Sequence, residues 1–224
     1  MTAVRVPPDL LRQSVSRLSA ADRNETAVPS YTHVNPLIRR LFWKRLEAAV
    51  DLAQLRHGDR VLDFGTGSGI LLPTLQAGGA EVWATDLDVS PARSLTAALR
   101  LDTRIVAPEE YDDWRAEHAG TLNVIMALDV FEHLAEGELA SVTGQLRPLL
   151  APGGRLVVSG PTETPAYKLG RFLAGFRNVY HYRSVFDIDA QLRTDWAVEE
   201  ARFLPRFPRA FLLTRYVPRG APRE

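Results

Sequence analysis

The feature that most constrains the fold is a regular alternation of short apolar runs and helical stretches that begins at residue 60. Five runs rich in aliphatic residues are separated by segments with helical periodicity or turn residues. Strands that alternate with helices at this spacing form a parallel sheet covered on both faces. The five predicted strands are RVLDF (60–64), EVWATDL (81–87), TRIVA (103–107), LNVIMAL (122–128) and RLVVSGP (155–161).

A long amphipathic helix is predicted just before the first strand. Asn35 suits the N-cap and Pro36 the first turn. Apolar residues then follow one stripe: Leu37, Ile38, Leu41, Phe42, Leu46, Ala49, Val50 and Ala53. Four basic residues are predicted to form a solvated face, with contact to a membrane surface or an anionic substrate as the alternative: Arg39, Arg40, Lys44 and Arg45.

The C-terminal third predicts two further helices, near 164–175 and 184–194. Two apolar runs, 198–204 and 210–217, are close enough in the chain to pair antiparallel around a proline-rich turn. Seven strands are therefore expected in all. The expected organisation is one domain over 35–224, preceded by a lid or flexible segment over 1–34.

Composition excludes several classes of function. The absence of cysteine excludes disulfides, thiolate nucleophiles and cysteine zinc sites. The 27 basic and 27 acidic residues argue against nucleic-acid binding by a strongly basic protein. No apolar run is long enough to span a bilayer, and the N-terminus lacks the pattern of a secretory signal, so a cytoplasmic location is expected.

The balanced charge is unevenly distributed. Residues 1–60 hold 10 basic and 6 acidic residues (+4), 61–160 hold 6 and 14 (−8), and 161–224 hold 11 and 7 (+4). The basic flanks favour an acceptor that carries a carboxylate, a phosphate or an acidic hydroxyl.

The most informative motif is VLDFGTGSG at 61–69, in which a strand ends in Asp63 and glycine then occupies every second position. Glycine allows a ligand to approach the backbone, and the following helix N-terminus offers free N–H groups. A dinucleotide fingerprint would have glycine where Ile70 stands, and no Gly-Lys-Ser/Thr follows. Asp86 ends the next strand, where a carboxylate can accept hydrogen bonds from ribose hydroxyls. The pattern indicates a nucleoside ligand.

Four blocks together resemble the class I S-adenosylmethionine-dependent methyltransferases, in particular their small-molecule and quinone branch. They are VLDFGTGSG, ATDLD, LDVFEHL (128–134) and LRPLLAPGGRLVVSGPTE (146–163), within a cofactor core over about 45–163. The resemblance implies a Rossmann-like, seven-stranded, mainly parallel α/β sheet with a C-terminal antiparallel hairpin, and S-adenosylmethionine as cofactor.

Carried over residue by residue, the resemblance places Asp63 and the glycine loop at the methionine end of the cofactor. Asp86 would bind the ribose, Leu87 would lie against the adenine, and Asp129 would sit near the transferred methyl. The contact to the adenine amine stays open among Pro108, Glu109 and Tyr111. The full set of implied cofactor contacts is Asp63, Gly65, Thr66, Gly67, Gly69, Asp86, Leu87 and Asp129.

Three histidines are candidate general bases because imidazole titrates near neutral pH. His133 lies four positions after Asp129, which is the fourth catalytic candidate. His33 and His181 stand in the two segments that flank the core. The alternative for His133 is a residue that orients this turn without taking a proton.

In the resembled family, additions before the core and after the fifth strand build the lid over the acceptor, here within 1–34 and about 162–184. The side chains that suit an aromatic or anionic acceptor are Tyr31, Tyr180, Tyr182 and Arg183. The alternative for each is a surface side chain with a satisfied polar group.

The sequence therefore predicts methylation of a small metabolite, at oxygen, in bacterial biosynthesis. The fourth strand does not continue as the Asn/Asp-Pro-Pro-Tyr motif of adenine-N6 and glutamine methylases, so nucleic-acid bases are not expected targets. Two alternatives stay open: a lipid or quinone methyltransferase at a membrane surface, and a protein that binds the cofactor without transferring its methyl. Monomer and homodimer are both compatible with the sequence.

Overall fold

The computed structural model describes residues 1–19, 22–23, 26–135, 137–173 and 183–220. Its central element is a seven-stranded sheet in the order β3-β2-β1-β4-β5-β7-β6. The strands are β1 (Arg60–Phe64), β2 (Glu81–Thr85), β3 (Thr103–Val106), β4 (Leu122–Leu128), β5 (Leu150–Pro161), β6 (Trp196–Leu204) and β7 (Phe211–Pro218).

Helices connect the strands and cover both faces of the sheet. They are α1 (Pro8–Ser14), α2 (Val28–Tyr31), α3 (Pro36–Ala53), α4 (Leu72–Ala77), α5 (Ser90–Leu99), α6 (Tyr111–Glu117), α7 (Glu138–Leu146), α8 (Pro165–Leu173) and α9 (Val185–Leu192). Short 3-10 turns lie at Pro108–Glu110, Phe131–His133 and Arg147–Leu149.

Strands β1 to β5 are parallel, and β7 runs antiparallel between β5 and β6. The predicted mainly parallel sheet with a C-terminal antiparallel hairpin is confirmed. The carboxyl ends of β1, β2, β4 and β5 consequently meet at one edge, which is where ligands bind in open α/β sheets. We call this the carboxyl edge.

Alternate residues of each strand face opposite cores, as the two-residue period of a strand requires. On one face Val61, Met126 and Val157 pack with α3, α4 and α5. On the other face Leu62 and Ile125 pack with α6, α7 and α9 in a second buried cluster. The sheet is thus covered on both sides, as a parallel sheet requires.

The long helix α3 starts as predicted, because the Asn35 side chain accepts a hydrogen bond from the Leu37 N–H at 2.9 Å. The predicted solvated face is wrong for Arg45, which is only 5% exposed. Trp43 is also buried. Arg45 is therefore not available for contact with a membrane surface, the alternative predicted for this basic face.

The N-terminal segment packs onto this same core. Ala3, Val6, Leu11 and Tyr31 are buried among the residues of α3, α4 and α5. Part of 1–34 is therefore structural, and its covering of an acceptor stays a prediction. Within the described residues, no helix combines the length and apolar character needed to cross a membrane.

At the start of α5, a carboxylate accepts a backbone N–H. Ser90 is the first helical residue, and its N–H donates to the Asp88 carboxylate at 2.9 Å.

Candidate functional site

The glycine loop between β1 and α4 is a backbone cradle at the carboxyl edge. Gly65, Gly67 and Gly69 all have positive φ angles, 74°, 53° and 76°. A Cβ at Gly65 would stand 2.3 Å from Cγ2 of Val130, so only glycine fits there, whereas one at Gly67 would meet no atom within 4 Å. The loop is closed on the side of Val130 and open at Gly67, as a ligand cradle requires.

Asp63 lies at the base of this cradle. Its side chain is 3% exposed and accepts a hydrogen bond from the Thr66 hydroxyl at 2.6 Å. Burial raises the pKa of Asp63 to about 7. Among the described residues, none pairs a positive charge with this carboxylate. Asp63 is therefore suited to meet a cation brought by a ligand.

Asp86 joins the loop to the end of β2. Its Oδ2 accepts the Gly67 N–H at 2.7 Å and its Oδ1 accepts the Leu87 N–H at 2.7 Å. Burial raises the pKa of Asp86, and these backbone hydrogen bonds oppose the rise. A carboxylate has about four acceptor positions, so it can still accept bonds from two hydroxyls. Leu87 beside it is 94% exposed and offers an apolar face to a ring.

Across the edge, Asp129 follows β4 in a left-handed conformation with φ +57°. Its carboxylate forms an ion pair with Arg45, in which one guanidinium nitrogen donates to Oδ2. Oδ1 accepts a hydrogen bond from the Ser159 hydroxyl at 3.2 Å. The Asp129 side chain stays 24% exposed, whereas that of Arg45 is 6% exposed. Asp129 is therefore accessible at the carboxyl edge, while its counter-ion Arg45 is buried next to it.

Aromatic rings enclose Arg45. Its guanidinium carbon lies 4.8 Å from the ring centroid of Phe42 and 4.7 Å from that of Phe211. Tyr31 packs edge-on against Phe42 at 5.7 Å. Burial raises the pKa of the Tyr31 phenol, and the nearby Arg45 charge opposes that rise. We call Tyr31, Phe42, Arg45, Asp129 and Phe211 the arginine cluster.

Two further ionisable groups border the arginine cluster. Tyr167 packs edge-on against Phe211 at 5.7 Å, and burial and the Asp129 charge raise its pKa. Glu132 is 1% exposed, and its Oε2 has no hydrogen-bond partner among the residues that the structure describes. Burial, and then the Asp129 charge, raise the pKa of Glu132 well above its usual range. The Tyr167 phenol is therefore neutral at neutral pH, and burial favours the protonated form of Glu132.

The histidine candidates lie in different surroundings. His33 follows α2, and its Nδ1 accepts the N–H of Asn35 at 3.0 Å. This contact fixes the turn that leads into α3. His133 ends the short turn after Asp129, with its side chain exposed. His181 falls outside the described residues. Catalysis by any of the three stays a prediction.

The residues predicted to contact the acceptor also lie in different surroundings. Tyr31 is buried within the arginine cluster. Arg183 donates to the Ala135 carbonyl at 2.7 Å and to the Gln191 side chain at 3.2 Å. Tyr180 and Tyr182 fall outside the described residues.

The residues open for the adenine amine lie at a 3-10 turn after β3. Pro108 and Glu109 are exposed. The Tyr111 hydroxyl is buried, and burial raises its pKa to about 12. The contact stays open.

Sequence reasoning missed the roles of Arg45, Ser159, Tyr167 and Phe211. A signal for Arg45 was present, because it stands three residues after Phe42 and four before Ala49, on the predicted apolar stripe. Arg45 is predicted on the solvated face only because arginine is charged.

A family model described as a methyltransferase domain matches residues 8–209. The ubiquinone biosynthesis O-methyltransferase of Xanthomonas axonopodis pv. citri (strain 306) is 31% identical over 138 residues, which cover 59% of this chain and 52% of that protein. The chain spans about half the length of the curated relatives it matches.

Solved structures show the same fold. The magnesium protoporphyrin IX methyltransferase of Synechocystis PCC 6803, with bound SAH, has a TM-score of 0.62 at 17% identity, over 95% of this chain and 100% of that one. The 1,6-didemethyltoxoflavin-N1-methyltransferase of Burkholderia thailandensis, with bound 1,6-didemethyltoxoflavin and S-adenosylhomocysteine, has a TM-score of 0.57 at 17% identity, over 97% and 93%.

Proposed function

Because the chain belongs to the class I S-adenosylmethionine-dependent methyltransferase family, we propose that it binds S-adenosylmethionine at the carboxyl edge and transfers the methyl group to a small-molecule acceptor. The observation that carries this proposal is the cradle. Asp63 and Asp86 flank a glycine loop that packs against Val130 at Gly65, and the Asp86 carboxylate accepts the N–H of Gly67 on the open side of the loop. These donors and acceptors fit an amino-acid end and a ribose.

Different residues would bind different parts of the cofactor. Asp63, which is buried and pairs with no cation in the part of the chain that the structure describes, suits the ammonium group of the methionine end, and Asp86 suits the ribose hydroxyls. Leu87 supplies the exposed apolar surface for the adenine. When bound, the cofactor supplies an activated sulfonium methyl group. The protein's main contribution is then to align an acceptor atom with that methyl.

For the acceptor we infer an oxygen nucleophile on a small metabolite. The name of the Xanthomonas relative, an O-methyltransferase of ubiquinone biosynthesis, supports oxygen. The exposed part of Asp129 can accept a hydrogen bond from an acceptor hydroxyl and orient its lone pair. Arg45 is not available to bind an anionic acceptor, because it forms an ion pair with Asp129.

Calorimetric titration with S-adenosylhomocysteine tests the binding step. The matched variants are Asp86→Asn and Asp88→Asn, which remove the same charge two positions apart. Asp86→Asn should weaken binding about 10- to 100-fold, the range for charged hydrogen bonds worth about 1.5–3 kcal/mol. Asp88→Asn keeps a side-chain oxygen that can accept the Ser90 N–H at the start of α5 and should leave affinity within about twofold. If the wild-type protein does not bind, the proposal is wrong.

Turnover with labelled cofactor and a panel of phenols and hydroxy acids tests the transfer step. Binding without transfer to any of them would favour the non-transferring alternative.

A second candidate is methylation of a lipid or quinone at a membrane surface. It is favoured by exposed apolar side chains near the carboxyl edge: Leu37, 73% exposed, and Phe207, 90% exposed between Arg206 and Arg209. Co-sedimentation with anionic vesicles tests it. Phe207→Ser should release the protein from the pellet, and full recovery of the wild-type protein in the supernatant would remove this candidate.

A further inference from the structure

The arginine cluster contains a buried ion pair beside the place where the methyl group is expected. We propose that the Arg45–Asp129 pair balances charge at the methyl-donor position and so sets the relative affinity of the site for the cationic donor and its neutral demethylated product. This inference rests on the proposed function.

The pair adjoins the cofactor cradle. Val130, the residue after Asp129, packs so closely on Gly65 that a Cβ there would lie 2.3 Å from it. The Asp129 N–H donates to the Ser159 carbonyl at 2.9 Å, which ties the end of β4 to β5. Asp129 is thereby held next to the glycine loop, on the side away from Asp86 and the ribose.

The charges of the pair are poorly screened by water. Arg45 is enclosed between the Phe42 and Phe211 rings, and its side chain is 6% exposed. Charges in such surroundings act over longer distances than charges at the protein surface. A ligand charge beside Asp129 therefore interacts with both members of the pair, and their two contributions largely cancel.

This cancellation has a consequence for catalysis. On transfer, an acceptor oxygen would form the new O–CH3 bond while the S–CH3 bond breaks with its electron pair left on sulfur. The sulfur would become neutral, and the positive charge would leave with the acceptor's hydroxyl proton, which passes to solvent. An unpaired Asp129 carboxylate would stabilise the charged ground state more than the transition state, which slows the chemical step. By compensating Asp129, Arg45 keeps a hydrogen-bond acceptor at the reaction site without that excess stabilisation.

The test needs no acceptor. Dissociation constants for S-adenosylmethionine and S-adenosylhomocysteine are measured by calorimetry at pH 7.5 for the wild-type protein, Arg45→Met, Asp129→Asn and the double variant. Arg45→Met leaves an uncompensated anion and should shift the affinity ratio about tenfold toward the cationic donor. Asp129→Asn leaves an uncompensated cation and should shift it about tenfold toward the neutral product. The double variant should return to within about threefold of the wild-type ratio.

Lys44→Met is the matched control, because it removes a neighbouring charge whose side chain is 54% exposed. It should leave the ratio unchanged, and a shift as large as that of Arg45→Met would overturn the inference. A purely structural pair would change both affinities by the same factor, and an unchanged ratio in Asp129→Asn would also overturn it.

Circular dichroism verifies folding of each variant. If Arg45→Met does not fold, the affinity ratio of Asp129→Asn tests the inference alone, since that substitution is isosteric and its site is partly exposed. Failure of the wild-type protein to bind either ligand would instead contradict the proposed function.

Discussion

The two halves of the carboxyl edge differ in what accompanies a carboxylate: Asp63 is buried, whereas Asp129 is partly exposed beside a buried arginine. In the cradle, Asp63 is buried with a hydroxyl donor, no cation among the described residues pairs with it, and burial raises its pKa to about 7. In the arginine cluster, Asp129 has the enclosed Arg45 as its counter-charge. The counter-charge for Asp63 must therefore come from a ligand, whereas the counter-charge for Asp129 is supplied by the protein itself. We therefore expect the cradle to respond to pH and ligands, and the arginine cluster to govern stability.

The largest expected effect comes from breaking the ion pair. Arg45→Met should lower the free energy of unfolding by about 3–5 kcal/mol, because removal of one partner of a buried pair strands the other charge. The double variant Arg45→Met/Asp129→Asn should recover most of this loss, since no uncompensated charge remains. Urea unfolding followed by fluorescence measures both.

Lys44→Met serves as the control on the same helix. Its side chain is half exposed and 3.7 Å from the Glu47 carboxylate, so stability should change by no more than about 0.5 kcal/mol. Equal losses for Arg45→Met and the double variant would show that packing by the long side chain, not charge compensation, is what stabilises the cluster.

An intermediate effect is expected at Asp63, and its sign depends on pH. The folded-state pKa of about 7 lies above the ordinary value of 3.8, so between these values the folded protein binds more protons than the unfolded chain at this residue. Stability should therefore fall as pH rises from about 4 to 7. Asp63→Asn removes this titration and should be more stable than wild type at pH 8, by about 2–4 kcal/mol, with little difference at pH 4.

The measurement is the pH dependence of urea unfolding without cofactor. Asp112→Asn, at a carboxylate that is 85% exposed, is the control and should follow the wild-type profile. Parallel pH profiles of stability for wild type and Asp63→Asn would mean that the pKa of Asp63 is not raised in the folded protein. The contrast with Asp129 would then disappear.

The same contrast explains how much could be predicted from sequence. The cradle lies within 63–87. Asp63, Asp86 and the glycines of the loop are predicted from strand ends and glycine spacing, which are local patterns, whereas Thr66 and Leu87 are implied only by the family resemblance. Strands β1 and β4 match their predicted bounds, whereas β5 begins at Leu150 because pairing with β4 resumes around a register shift. Arg45 and Asp129 are 84 residues apart, and no local pattern indicates such a pair.

The smallest expected effect separates binding from stability within the cradle. Leu87 is 94% exposed and, in the proposed function, contacts the adenine. Leu87→Ser should change the free energy of unfolding by no more than about 0.5 kcal/mol, since the side chain packs against little in the folded chain. It should weaken binding of S-adenosylhomocysteine about three- to fivefold, because burial of part of a leucine by a ligand contributes about 1 kcal/mol.

The matched control is Leu37→Ser, at an exposed leucine on the arginine-cluster side of the edge. It should leave both stability and cofactor affinity unchanged. Calorimetry and urea unfolding on the two variants decide the assignment, because only a residue that a ligand covers can lose affinity without losing stability. Equal affinities for Leu87→Ser and wild type would place the adenine elsewhere, and the residues after β3 would become the next candidates.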